Sequence, residues 1–193
     1  IKIGIIGTGG MAHAHANRYR EIKGVRLVAA CDIDKKSVRA FAAKHGAEKS
    51  YTSTEEFLNH PGLDAVANVT PDRFHAPISI QAIQAGKHIL CEKPLAENAA
   101  DANRMVRAAR KKGVINMVNF SYRRSAAIQQ AARCIERGIL GRIIHFEARY
   151  YQSSRLEAES DPLDIELSSS PELRELALLG IEAELRNAPP NNP

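Results

Sequence analysis

The opening segment, Ile1-Lys2-Ile3-Gly4-Ile5-Ile6, is a short β-branched run that passes straight into Gly7-Thr8-Gly9-Gly10-Met11-Ala12 and then into a helical stretch from Ala14 to Ile22. A strand, a glycine turn and a helix in immediate succession constrain the chain more than anything else in it. In this order Gly7 permits the tight turn, Gly9 lets the backbone approach a pyrophosphate, and Ala12 in the third small position allows the helix to pack closely on the strand. The helix N-terminus adds unpaired amides and a partial positive charge. Thr8, Gly10 and Met11 are therefore expected to share in the same phosphate cradle.

A second apolar run, Val25 to Cys31, ends in Asp32, twenty residues beyond Ala12. A carboxylate there can accept hydrogen bonds from adenosine ribose hydroxyls and would repel a 2′-phosphate, which argues for NAD as the cofactor. Lys35 and Lys36 stand close enough to leave NADP open.

Further along, Asp34-Lys35-Lys36-Ser37 opens a helix to about His45 closed by Gly46, and Ser53-Thr54-Glu55-Glu56 reads as a capping box for a short helix. Leu63 to Val69 is the next strand read from the pattern, and a helix from Ala76 to Ala85 stops at Gly86. A strand then runs to Cys91, a helix runs from Asn98 to Lys112, and Val114 to Phe120 supplies another strand. Strands alternating with helices imply an α/β fold with a parallel, doubly wound sheet and ligands at the carboxyl ends of its strands.

The run Lys87-His88-Ile89-Leu90-Cys91 ends abruptly in Glu92-Lys93-Pro94-Leu95. An ammonium held where a buried strand leaves a sheet can polarise a carbonyl or pass a proton, while Pro94 fixes the backbone as it turns away. Lys93 is accordingly the candidate catalytic residue. Read alone, the same tripeptide would be an exposed ion pair beside a turn, which contributes little.

These segments, together with Asp64-Ala65-Val66-Ala67-Asn68-Val69-Thr70-Pro71 and the following His75, resemble the glucose-fructose oxidoreductase/inositol dehydrogenase/MocA family of nicotinamide-dependent oxidoreductases. The resemblance runs from residue 1 to about residue 154. It implies a Rossmann-type nucleotide domain over 1–121, the start of a substrate and oligomerisation domain over 122–154, and hydride transfer to or from a sugar, polyol or related carbinol. It also implies that Thr70, Pro71 and His75 border the cofactor, that Glu92 and Pro94 shape the nicotinamide pocket, that Lys93 touches the reacting oxygen, and that Arg123 lies near the nicotinamide. His75 reads equally well as a helix-start residue.

Ser125 to Arg137 is expected to be a helix, and Gly141 to Ser153 a strand in which Ile144 and Phe146 alternate with His145 and Glu147. Such a strand needs partners for its amides and carbonyls, so homo-oligomerisation is expected. From about Arg155 the family pattern stops. Residues 155–193 hold three Arg, no Lys and nine Asp or Glu, a net −6, so that the preceding residues carry +11 of an overall +5. No histidine follows His145, whereas the family pattern continues with an Asp and a His that complete the proton-transfer site. The expectation is an incomplete α+β substrate domain, an acidic arm over 155–193 with one helix over 171–187, and weak turnover by the lone chain. A nucleotide-binding module without catalysis stays open as an alternative.

The basic N-terminal part suits an anionic cofactor. Its Lys and Arg residues are scattered without the aromatic interleaving of a single-strand platform, which argues against nucleic acid as a partner. No run approaches the roughly 20 apolar residues of a membrane span, and no signal peptide is visible, since the first strand enters the glycine turn directly. Cys31, Cys91 and Cys134 lack metal-type spacing, so no metal is expected, and the reducing cytoplasm is the expected compartment.

Overall fold

Alternation along the first strand sets the two layers that flank the sheet. In β1 (Lys2–Ile6), Ile3 and Ile5 enter one core with Ala12, Ala16, Val38 and Phe41, while Ile6 enters the other with Phe57, Leu63, Val66 and Ile83. Gly4 lies under Phe57, whose ring atoms would stand 2.6 Å from a Cβ at that position. The missing side chain lets the aromatic ring pack flat on the strand.

The computed structural model of the protein describes residues 1–147. Its backbone divides into a unit over residues 1–120 and a second unit that begins at Ser121. The acidic arm, its helix over 171–187 and the end of the expected strand over 141–153 lie outside the described residues.

In the first unit β1 pairs in parallel with β2 (Arg26–Cys31) and with β4 (Ala65–Asn68). Beyond them lie β3 (Lys49–Tyr51) on one side, and β5 (His88–Cys91) and β6 (Asn116–Val118) on the other. The order is β3-β2-β1-β4-β5-β6, and every pairing is parallel. The chain thus winds outward from β1 in both directions, leaving a crevice at the carboxyl ends of β1 and β4. The connecting helices are α1 (Gly10–Glu21), α2 (Lys35–His45), α3 (Thr54–Leu58), α4 (His75–Gln84) and α5 (Ala99–Lys112).

Caps fix the helix starts close to where the sequence places them. Asp34 accepts from the amides of Lys36 and Ser37, Ser53 from that of Glu56, and Asn98 from that of Asp101. Two differences have physical causes. Helix α1 begins at Gly10 rather than Ala14, because Gly7 alone makes the turn and Gly9, with extended backbone at φ −73° and ψ −171°, already caps the helix. Strand β3 has no apolar run to announce it and is ordered by pairing with Ala29, Ala30 and Cys31.

The second unit carries a 3-10 turn over Ser121–Arg124 and α6 (Ala126–Glu136), with Ser125 accepting from the amide of Ile128. Residues 141–147, expected to be a strand, contain only an isolated bridge at Ile143. Alternating polarity assigns two faces to a segment, but a strand also needs a paired neighbour for its amides and carbonyls. No regular strand is described beside these residues.

Gly7 has φ +86°, and a Cβ there would stand 2.6 Å from the carbonyl oxygen of Val69 and 2.8 Å from the amide of Thr70. Gly7→Ala is therefore expected to cost about 2 kcal/mol or more, measured by urea denaturation. Gly10→Ala, with no atom within 4 Å of the added Cβ, is the matched control and should unfold at nearly the wild-type midpoint.

Candidate nucleotide and active site

The crevice is built by three strand ends and the helix that follows the first. Gly7 brings the β1 turn against the backbone after β4, and α1 then starts at once, with its first amides at the crevice. A Cβ at Gly9 or Gly10 would meet nothing within 4 Å, so the backbone there is bare on its outer side. Free backbone amides at a helix N-terminus with open space before them fit a pyrophosphate. Met11, in the first turn of α1, is exposed beside them.

Asp32 leaves β2 and is tied back to the glycine turn. Its Oδ2 accepts from the Thr8 amide at 2.7 Å and the Thr8 hydroxyl at 2.8 Å, while Oδ1 accepts from the Asp34 amide at 3.0 Å. Burial raises the carboxyl's pKa, but the hydrogen bonds from Asp34, Thr8 and Ile33 outweigh it and hold the group below the usual carboxylate range. Thr8 is itself buried and also contacts the Ser37 hydroxyl at 2.8 Å. Thus Thr8 braces the glycine turn against the acid.

Glu92 and Lys93 part company at the end of β5. Glu92 is buried, and its Oε1 accepts from Asn119 Nδ2 at 2.6 Å and lies 2.7 Å from His15 Nε2 on α1. Its Oε2 accepts from the Lys93 amide at 3.1 Å. Burial raises the Glu92 pKa, and the bonds from His15, Asn119 and Lys93 more than reverse this. The side chain of Lys93 is exposed and makes no ion pair with Glu92. The exposed Glu-Lys pair that the tripeptide alone would suggest is therefore not what forms.

The loop after β4 is organised by a residue that sequence reasoning passed over. Asn68, fully buried, donates from Nδ2 to the His75 carbonyl and the Ser79 hydroxyl, and its Oδ1 accepts from the amide and hydroxyl of Thr70. Thr70 is half-buried and Pro71 exposed at the rim. His75, the first residue of α4, is 1% exposed and faces the carbonyls of Thr70 and Pro94. Pro94 follows a cis peptide bond. Arg123 is exposed in the 3-10 turn of the second unit.

His15 and Asn119 were also missed. A signal for His15 existed: with Ala12, Ala16 and Tyr19 it forms the inward face of α1, so a polar ring on that face demands a buried partner. Its Nδ1 meets the Tyr19 hydroxyl at 3.2 Å. A separate cleft of about 220 Å³, lined in part by Tyr19, Arg26, His45 and Glu48, lies at the opposite end of β2 and contains none of the motif residues.

Asp32 and Glu92 both titrate below their unfolded values when folded. Their stabilisation is complete above the ordinary carboxylate range near pH ~4 and is lost as pH falls through the depressed folded values. Acid unfolding, followed by circular dichroism, is therefore expected to be shallower in the double variant Asp32→Asn/Glu92→Gln than in wild type. Equal slopes would show that these hydrogen bonds do not favour the ionised forms.

Residues 1–120 match the Gfo/Idh/MocA oxidoreductase family, NAD-binding Rossmann fold. The chain is 35% identical over 161 residues to levoglucosan dehydrogenase of Pseudarthrobacter phenanthrenivorans, covering 79% of this chain and 41% of that protein. It is similar to the crystal structure of an NAD binding oxidoreductase from Klebsiella pneumoniae, with 39% identity and a TM-score of 0.72 over 78% of this chain and 42% of the other. It is also similar to the WlbA dehydrogenase of Bordetella pertussis in complex with NADH and UDP-GlcNAcA, with 30% identity and a TM-score of 0.74 over 82% and 46%. The chain thus spans less than half the length of these relatives. With the glycine turn, the strand-order reversal and the Glu-Lys-Pro turn all inside the matched segment, the chain belongs to the Gfo/Idh/MocA family of oxidoreductases with an NAD-binding Rossmann fold.

Proposed function

We propose that this chain binds NAD at the crevice between β1 and β4 and that, in the whole protein, Lys93 assists oxidation or reduction at a carbinol of a sugar or polyol. The observation that carries the reading is the bare backbone at Gly9 and Gly10, placed at the start of α1 and at the strand-order reversal. The amides of Gly9, Gly10 and Met11 would hold the diphosphate, and the ionised Asp32 would accept from ribose hydroxyls. Its charge disfavours the 2′-phosphate of NADP. When bound, the nicotinamide supplies a hydride acceptor or donor at C4 for the carbinol carbon.

The residues of this chain prepare the place where that chemistry occurs. Glu92, locked to His15 and Asn119, fixes the backbone from which Lys93 leaves, so the ammonium projects from a rigid strand end. At the substrate oxygen an exposed ammonium can donate a hydrogen bond and stabilise developing negative charge. Thr70 and Pro71 form the facing rim after β4, and Pro94 turns the chain out of the way. The similarity to sugar-converting dehydrogenases such as levoglucosan dehydrogenase supports the substrate class.

Titration calorimetry of the chain with NAD and NADP tests the reading, with NAD expected to bind more tightly. Gly9→Ala should leave the unfolding midpoint within about 1 kcal/mol of wild type while weakening NAD about tenfold or more, since its Cβ enters the open cradle. Binding that is absent in wild type, or unchanged in Gly9→Ala, would overturn the placement of the diphosphate. Lys93→Ala should keep NAD affinity and reduce turnover on a polyol and aldose panel by roughly 10²- to 10⁴-fold in the whole protein.

A further inference from the structure

Asn68, the last residue of β4 and fully buried, has an amide that only one orientation satisfies. Its Nδ2 lies 3.1 Å from the His75 carbonyl oxygen, which only accepts, and 3.0 Å from the Ser79 hydroxyl. Its Oδ1 lies 3.3 Å from the Thr70 amide, which only donates, and 2.6 Å from the Thr70 hydroxyl. Reversing the amide would set acceptor against acceptor at one end and donor against donor at the other. The single hydroxyl proton of Thr70 is therefore given to Asn68 Oδ1.

What remains on that hydroxyl is its lone pairs, and among the described residues no side chain or amide donates to them. Thr70 is half-buried, with its amide bonded to Asn68 and its carbonyl oxygen 2.8 Å from His75 Nε2. A hydroxyl that donates inward is polarised into a better acceptor. Its backbone abuts the glycine turn, since a Cβ at Gly7 would stand 2.8 Å from the Thr70 amide nitrogen. The two sides of the crevice thus differ in polarity: open amides at the start of α1, and after β4 a hydroxyl oxygen that can only accept. A phosphate oxygen, itself an acceptor, suits the first and is repelled by the second, whereas an N–H or O–H suits the second.

We propose that Asn68 is a positioning residue that makes the Thr70 hydroxyl a pure acceptor, and that this oxygen receives a hydrogen bond from the nicotinamide half of the cofactor. The donor is a ribose hydroxyl or the carboxamide N–H of that half, so Thr70 helps to set which way the dinucleotide lies in the crevice. The assignment rests on the nucleotide site proposed above; the direction of the Thr70 to Asn68 hydrogen bond does not.

Titration calorimetry of the full chain with ADP, ADP-ribose and NAD tests this, because ADP lacks the second ribose and only NAD carries the carboxamide. Thr70→Val keeps the shape of the side chain and removes the hydroxyl. NAD should then bind about tenfold more weakly, the loss of one hydrogen bond, while ADP binds as before and Thr70→Ser retains wild-type NAD affinity. A matching loss with ADP-ribose assigns the donor to the ribose, and a loss confined to NAD assigns it to the carboxamide. An equal loss with ADP, or no loss with NAD, would overturn the proposal while leaving the nucleotide site standing. A wild-type chain that binds none of the three overturns that site as well. In Asn68→Ala the ratio of NAD to ADP affinity should fall to the Thr70→Val value, and the double variant should fall no further, whereas a wild-type ratio in Asn68→Ala would refute the positioning role. If Asn68→Ala does not fold, the wild-type proton spectrum decides: a slowly exchanging hydroxyl signal, lost in Thr70→Val, reports the bond to Asn68, and its absence refutes it.

Discussion

The site depends on one close approach, the backbone of Gly7 against the backbone of Val69 and Thr70. A methyl group at residue 7 would overlap the Val69 carbonyl, so the β1 turn can meet the β4 loop only as glycine. This contact spans the place where the strand order reverses, and it is made of main chain on both sides. Main-chain contact cannot repack as side chains do, so the crevice inherits the rigidity of the sheet. The amides of α1 are then aimed by the same turn that closes the contact.

Around that contact the protein accepts buried polar groups and satisfies them through shared partners. Asn68 uses both ends of its amide, Glu92 uses both oxygens, and Asp32 does the same at the neighbouring strand end. Each of these residues terminates a strand or follows its last residue. Strand ends are where backbone donors and acceptors run out of ladder partners, and short polar side chains there take over the work of the missing strand. Fully satisfied networks of this kind specify one arrangement of loops.

The first unit was largely legible in the sequence because its punctuation is local. Gly46 and Gly113 stop α2 and α5, Asp34, Ser53 and Asn98 start helices, and each acts through atoms within a few residues of itself. What was not legible is what depends on distance along the chain. The pairing of His15 with Glu92 spans 77 residues, and nothing in either neighbourhood names the other. β3 escaped notice for the same reason, since its three residues are strand only by virtue of β2. His75 carries a local signal of its own, since it is the first residue of α4, while the inward turn of its ring to the carbonyls of Thr70 and Pro94 depends on partners up to 19 residues away.

Glu92 and Lys93 show why adjacent residues in a motif need not share a role. At the end of a strand, successive side chains leave on opposite faces. Glu92 is drawn inward because α1 offers it His15 and the strand beside it leads to Asn119, so its charge is spent on holding three elements together. Lys93 gains no such partners among the described residues, and an ammonium at a strand end without an inward acceptor stays exposed. An acid and a base written side by side thus resolve into an anchor and a free end.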